Sequence, residues 1–261
     1  MPPNELVHDA AGSRIVMDAI GYVSCDADSP AEVPSEGLPS DVVVFDQYVP
    51  AIEGIEVGDH LYVVTLFDQA DPAQLNGSTG TSNQQGAFSI RSSSRPNRIG
   101  MTLSRVTAIA GPRLSFEWLD FSHGSPVLDL KRYNWRWECV LSARRLDRRF
   151  IERQIPEDAL AHVLARAEAN FHGELCDGVR AVGALCAHAS QGLDIWLGDP
   201  DLSIHVQADG HTVDALQGLT GATFGNDRLT ADVVNQPASV TFSVGECQHR
   251  FSWTDSRWVA E

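Results

Sequence analysis

Gly86-Ala87-Phe88-Ser89-Ile90-Arg91-Ser92-Ser93-Ser94-Arg95-Pro96-Asn97-Arg98-Ile99-Gly100-Met101 is the stretch whose reading decides the fold. Two arginines, Arg91 and Arg95, stand four apart in a run of small hydroxyl residues closed by Pro96-Asn97 and Gly100. Ser and Asn favour turns through local side-chain to backbone bonds. An arginine held in such a turn offers a rigid fork of donors suited to a carboxylate or phosphate. Next come two partly alternating apolar runs, Leu103, Val106, Ala108 and then Leu114, Phe116, Trp118, with Gly111-Pro112 between them. That pattern predicts a β-hairpin. The closing segment, Leu119-Asp120-Phe121-Ser122-His123-Gly124-Ser125-Pro126-Val127-Leu128-Asp129-Leu130-Lys131-Arg132-Tyr133, places Asp129 and Lys131 on one face if it is extended. Lys131 is the only lysine in the chain.

Outward from this block, strands are expected at Ile15–Val23, Val42–Phe45, His60–Phe67 and Trp135–Ala143, the third being the strongest signal. Residues 25–40 read as an acidic loop, Tyr48–Gly58 as a short amphipathic turn, and residues 71–85, rich in Gly, Ser, Asn and Gln, as a loop. Arg144, Arg145, Arg148, Arg149 and Arg153 form a run that reads as a solvated linker. Beyond it, Pro156-Glu157-Asp158 opens a helix that continues through Asn170, since acids in a first turn complement the helix dipole. Further helices are expected at 179–189 and 213–219, and strands at 194–197, 202–207, 239–244 and 249–253. The expected architecture is a mainly β N-terminal domain over 1–145, a linker over 146–155 and an α+β C-terminal domain over 156–261.

The 261 residues are 43% hydrophobic, enough for a sizeable core in each domain. The five cysteines are scattered and form no CxxC pair, which argues against a disulfide framework. Residues 1–150 hold 19 acids and 13 basic residues, and residues 151–261 hold 16 and 6, so the halves carry −6 and −10 of the net −16. A nucleic-acid binder would normally present a basic face, so this balance argues against nucleic acid. No run of eighteen apolar residues occurs, so no membrane span is expected. The N-terminus lacks a basic and an apolar leader region, and the expectation is a cytoplasmic protein.

The blocks Gly86–Met101 and Leu119–Tyr133 resemble the two signature blocks of the TsaA-like or TrmO (YaeB) family of methyltransferases. The family pattern is Gly-x-Phe-x-x-Arg-Ser-x-x-Arg-Pro-Asn-x-Ile-Gly, followed by Leu-Asp-x-x-Asp-Gly-Thr-Pro-Val-Leu-Asp-x-Lys-x-Tyr. The resemblance extends back through Val44–Tyr48 and His60–Gln69 and covers roughly residues 15–143. It implies a compact β-barrel that binds S-adenosyl-L-methionine and works as a homodimer. Carried over by position, the cofactor contacts are Asp68, Gln69, Arg91, Met101, Glu117, Trp118, Leu119 and Asp120. Arg95, Asp129 and Lys131 take catalytic places, and Asn97, His123 and Tyr133 take substrate-binding places. The chain departs from the pattern in the first loop, where Ser29-Pro30-Ala31-Glu32 replaces Pro-Arg-Gln. It departs again at Asp68, where the family has His, and at His123-Gly124-Ser125, where it has Asp-Gly-Thr.

The second half resembles the FmdE family, named for formylmethanofuran dehydrogenase. The residues that carry this are Phe171-His172-Gly173-Glu174-Leu175-Cys176-Asp177-Gly178 and His211-Thr212-Val213-Asp214-Ala215-Leu216-Gln217-Gly218-Leu219-Thr220-Gly221-Ala222-Thr223-Phe224-Gly225. His172 and Cys176 are four apart and would share a face if they begin a helix. With His211 they make a His/Cys/His set suited to zinc or another divalent transition metal, and Glu174 or Asp214 could supply an oxygen ligand.

Together these readings lead to a methyltransferase that uses S-adenosylmethionine on a small-molecule acceptor, with the metal binding or activating that acceptor. The acidic charge ranks tRNA adenosine N6-methylation second; its basic surface would be Arg132, Arg136 and the Arg144–Arg153 run. A non-enzymatic metal- or ligand-binding protein ranks third.

Overall fold

The predicted hairpin is built as two long antiparallel strands, β4 (Ile99–Ala110) and β5 (Arg113–Leu119), joined at Gly111-Pro112. Four more strands complete a sheet: β1 (Gly21–Ser24), β2 (Leu38–Val44), β3 (His60–Leu66) and β6 (Pro126–Arg132). They close in the order β6-β1-β2-β5-β4-β3 and back to β6, every neighbour antiparallel. Alternation along each strand turns one set of residues inward, among them Val23, Val42, Leu61, Val63, Val106, Leu114, Phe116 and Val127, all buried. This is the closed β-barrel that the family resemblance implies. The computed structural model describes residues 7–9, 12–70, 75–78, 84–140, 143, 145 and 147–261. The chain divides into two compact units, Met1–Leu141 and Ser142–Glu261.

In the second unit, α1 (Glu157–His172), α2 (Asp177–Gly192) and α3 (Gly210–Thr220) accompany a five-stranded sheet. Its strands are β7 (Leu202–Ala208), β8 (Leu229–Val233), β9 (Ser239–Val244), β10 (Cys247–Thr254) and β11 (Arg257–Ala260), in the order β8-β7-β9-β10-β11. Strand β8 pairs parallel to β7 after the α3 crossover, and the remaining pairs are antiparallel. Leu202, Ile204, Val206, Val240, Phe242 and Phe251 face the buried sides of the helices, Val182, Leu185 and Leu216 among them. The α+β expectation holds.

Five expectations change in detail. Ile15–Val23 contributes only Gly21–Ser24 as a strand. The expected strand over 135–143 does not form among its described residues, 135–140 and 143, with 141 and 142 outside them; Trp135–Glu138 is one helical turn. Asn134 Oδ1 accepts from the Arg136 N–H at 3.1 Å, and the Glu138 carboxylate accepts from the Asn134 N–H at 2.5 Å. These reciprocal caps outweigh the strand preference of the two tryptophans. Asp194–Leu197 is also not a strand: Asp194 sits at φ +58, which breaks an extended run, although Ile195 and Leu197 are buried in the core. Of the 71–85 segment, 71–74 and 79–83 lie outside the described residues, and Asn76–Ser78 pairs with Gln84–Gly86.

The arginine run is the fifth, Arg144 lying outside the described residues. Arg149 pairs with Asp147 at 2.6 Å and with Asp194 at 3.1 Å, and Arg153 also pairs with Asp194. Arg145 donates to the Gly218 carbonyl at 2.9 Å and to the Leu219 carbonyl, satisfying free carbonyls at the end of α3. These three arginines bind the segment to its own unit. In sequence they look solvated because, Asp147 apart, their acceptors are distant along the chain or are backbone carbonyls.

Candidate functional site

Antiparallel pairing brings the C-terminal ends of β1, β3 and β5 and the N-terminal ends of β2, β4 and β6 to one end of the barrel. The loops there enclose a cavity of about 1000 Å³. Phe67 to Ala70 enter from the end of β3, Ile90 to Arg95 and Asn97 from before β4, and Asp120 to Ser122 from after β5. Of the residues named from the sequence, Asp68, Gln69, Arg91, Arg95, Asn97, Met101 and Asp120 line this cavity.

The walls carry both signs of charge and an aromatic pair. Arg91 Nη2 donates to the Met101 carbonyl at 2.5 Å, which braces the guanidinium at the rim. A guanidinium has five donors, so this brace leaves others for a carboxylate. Arg95 reaches the Ser92 and Ala87 carbonyls at 3.5 Å. Across the cavity, the Thr102 hydroxyl donates to Asp120 Oδ1 and orients that carboxylate. Phe67 and Phe121 stand 5.8 Å apart between centroids, a surface suited to a base or another flat apolar group. A zwitterionic amino acid joined to a nucleoside fits this donor set, and the size lies within the range of small-molecule sites.

Arg98 braces the cavity loops in a way the sequence does not reveal. It adopts φ +50, unusual for a residue with a Cβ. Its carbonyl accepts from the Phe67 N–H at 2.8 Å, and its guanidinium donates to the Asp68 carbonyl at 3.1 Å. Arg98 therefore fastens the Phe67–Ala70 loop to the Arg91–Asn97 loop. It occupies the variable place of the signature, where the pattern gives no signal.

The remaining named residues lie elsewhere. Leu119 is fully buried in the barrel core. Trp118 takes the Ser104 hydroxyl as partner for its N–H at 3.3 Å, and Glu117 faces His60. His60 itself is held below the ordinary imidazole range by burial and by Arg105. His123 is exposed and stacks edge-on to Tyr22 at 6.5 Å.

Asp129 and Lys131 are exposed on the outer wall. Register places Asp129 beside Val64 and Val64 beside Met101, all in one row across β6, β3 and β4. Two strand spacings, about 10 Å, thus separate Asp129 from the cavity rim at Met101. Lys131, Tyr62 and Leu103 form the next row. Tyr133 packs on Tyr62 at 6.2 Å, and burial followed by the neighbouring Cys139 holds its phenol above the ordinary value. The adjacent Arg132 is engaged by Asp59 and by the Gly54 carbonyl at 2.6 Å.

The second site is made of three helix ends. His172 is the last residue of α1, Cys176 is the N-cap of α2, and His211 lies in the first turn of α3. The spacing of His172 and Cys176 suggests one shared helix. Gly173, at φ +101, ends α1 instead, and the two residues meet across the turn. His172 Nε2 and His211 Nδ1 are 2.9 Å apart, and Cys176 Sγ is 3.7 Å from the former and 3.6 Å from the latter. A tetrahedral zinc with its usual bond lengths sets neighbouring ligand atoms roughly 3.3–3.6 Å apart, so this triangle fits one transition-metal ion. Three protein ligands and a half-exposed position leave room for an exogenous one.

Asp214 is not in the triangle. Its Oδ2 lies 3.3 Å from His172 Nδ1, which fixes the ring so that Nε2 faces the ligand set. Glu174 is exposed and stands outside the cluster. Behind the pair lies Glu168, only 1% exposed, with neither carboxyl oxygen hydrogen-bonded among the described residues. It fits only because position 218 is glycine: a Cβ there would come 1.8 Å from Glu168 Oε2. Burial, then the charge of Asp214, push the Glu168 carboxyl up to about 8, against the pull of Arg145.

Known proteins resemble both units. The pattern described as tRNA-methyltransferase O N-terminal domain matches residues 27–139. An S-adenosyl-L-methionine-binding protein of Archaeoglobus fulgidus is 33% identical over 131 residues, 48% of this chain and 94% of that protein. The chain belongs to the TrmO family. Residues 171–251 match the pattern described as FmdE, molybdenum formylmethanofuran dehydrogenase operon. A probable S-adenosyl-L-methionine-binding protein of the same archaeon is 29% identical over 196 residues, 72% of this chain and 52% of that protein. That share of the chain exceeds the TrmO-family barrel unit, so the likeness continues past it, and the chain spans about half of that relative's length. Human tRNA (adenine(37)-N6)-methyltransferase is 31% identical over 99 residues, 34% of this chain and 21% of that protein.

Proposed function

We propose that the barrel cavity binds S-adenosylmethionine and that the protein transfers its methyl group to a small-molecule acceptor bound or activated by the metal centre of the second unit. The observation that carries the cofactor half is the cavity itself, with Arg91, Asp120 and the Phe67–Phe121 pair on its walls. When bound, the cofactor supplies an electrophilic methyl on a sulfonium. The chain's own residues do the rest by placement. Arg91 and Arg95 present positive charge to the amino-acid carboxylate, and Asp120, oriented by Thr102, accepts from ammonium or ribose hydroxyl groups. Asp129 and Lys131 orient the acceptor along the outer wall, either beside their own rim or beside that of a second copy in a homodimer.

The acceptor half rests on charge. The net charge is −16, and Arg132, Arg145, Arg149 and Arg153 are engaged internally. In the second unit, the His172–Cys176–His211 triangle would hold a divalent ion, zinc being the simplest, whose open position can take an acceptor oxygen or sulfur and favour its deprotonated form. The relatives' names keep tRNA as the second reading. Methyl-labelled S-adenosylmethionine, incubated with the zinc-loaded protein and either cellular small molecules or bulk tRNA, separates the two. Label in the small-molecule fraction is expected; label confined to tRNA would replace this reading with the second.

A further inference from the structure

Glu168 has no part in the sites described so far, yet burying it unpaired is costly. Its position is specific. On α1 it lies one turn before His172, and on α3 Gly218 lies one turn after Asp214. The two helices thus set His172 against Asp214 and Glu168 against Gly218 in consecutive layers. Charged or titratable groups face Glu168 from each neighbouring element: Asp214 from α3, Arg145 from the segment before α1, and Cys186 from α2. Cys186 is fully buried and its thiol is pushed up, so it stays protonated.

We infer that Glu168 is the positioning acid of the metal centre: protonated in the empty site, it leaves Asp214 as the carboxylate facing His172, and it yields its proton to solvent when a divalent cation enters the triangle. The balance is simple. A carboxylic acid becomes a carboxylate, one proton leaves, and the new negative charge offsets part of the charge brought by the ion. Ionised Glu168 without the ion would place two carboxylates together in a buried layer with only Arg145 opposite. With the ion one helical turn away, the same carboxylate has a counter-charge. Gly218 is the structural requirement for this arrangement, because any side chain there would occupy the carboxyl's place.

The inference rests on the proposed metal centre, and its test separates the two. Zinc is titrated calorimetrically into the full chain at pH 7 in buffers of different protonation enthalpy, for the natural protein and Glu168→Gln. The variant is expected to bind zinc and release about one proton fewer per ion. Zinc binding with the same proton count in both would overturn the inference and leave the metal centre standing. Absence of zinc binding to the natural protein would overturn both. Should Glu168→Gln fail to fold, the infrared difference spectrum of the natural protein with and without zinc gives the same reading. Loss of a protonated-carboxyl band on adding zinc is expected, and its persistence would overturn the inference.

Discussion

The two units place chemistry on their folds in opposite ways. The barrel keeps its core closed and largely apolar and carries its candidate site on loops at one end, braced by backbone carbonyls and by Arg98. The second unit builds its candidate site from helix ends that the core itself positions, with a buried acid one layer beneath. A loop site can tolerate exchange of a lining residue without loss of fold, whereas in the second unit the groups behind the ligands are also packing residues. Substitutions should therefore separate binding from stability in the barrel and couple them in the second unit.

The largest effect expected is at Cys176→Ala, which removes one of the three proposed ligands. Zinc affinity should fall by about a thousandfold or more by calorimetry, with the circular dichroism spectrum kept. Gly218→Ala comes next and gives the sharpest coupling. The added Cβ displaces the buried Glu168 carboxyl, and unfolding free energy should drop by roughly 1–3 kcal/mol in urea, with zinc affinity falling alongside.

The pH dependence follows from Glu168. Its folded-state value, about 8, lies above the ordinary 4.5, so between those values the folded chain holds a proton that the unfolded chain does not. Stability conferred by this residue is therefore lost as pH rises through that window. Glu168→Gln should become more stable than the natural protein by roughly 3 kcal/mol at pH 9 and should show little gain at pH 5, read from denaturation midpoints. A pH-independent difference would break the coupling argued for the second unit.

The smallest effect belongs to the barrel. Arg98→Ala should weaken S-adenosylmethionine binding by about 3–10-fold through loosening of the Phe67–Ala70 loop, with a melting temperature nearly unchanged. Equal losses in both would erase the contrast between the units.

What the sequence makes legible follows the same division. The hairpin around Gly111-Pro112, the strong strand at His60 and the signature arginines are readable because alternation and turn chemistry act locally. Five of the eight positions carried over for the cofactor, Asp68, Gln69, Arg91, Met101 and Asp120, line the cavity together. Leu119 and Trp118 do not, since alternation turns one into the core and packs the other against the Gly37 loop. Asp129 and Lys131 read as a pair on one face; that this face lies two strands from the rim requires the register of β6, β3 and β4. In the second unit the three ligand types are legible, but their geometry is not. Gly173 ends a helix between two of them, and Glu168 looks in sequence like any helical glutamate. Its burial depends on a glycine fifty positions away.

The central claim is that the barrel cavity is a working cofactor site, and titration calorimetry of S-adenosylmethionine into the full chain, with Arg91→Ala as the partner measurement, tests it most directly. Micromolar binding is expected for the natural protein, weakened about 10–100-fold in Arg91→Ala at an unchanged melting temperature. No binding to the natural protein, or equal binding to both, would contradict the account.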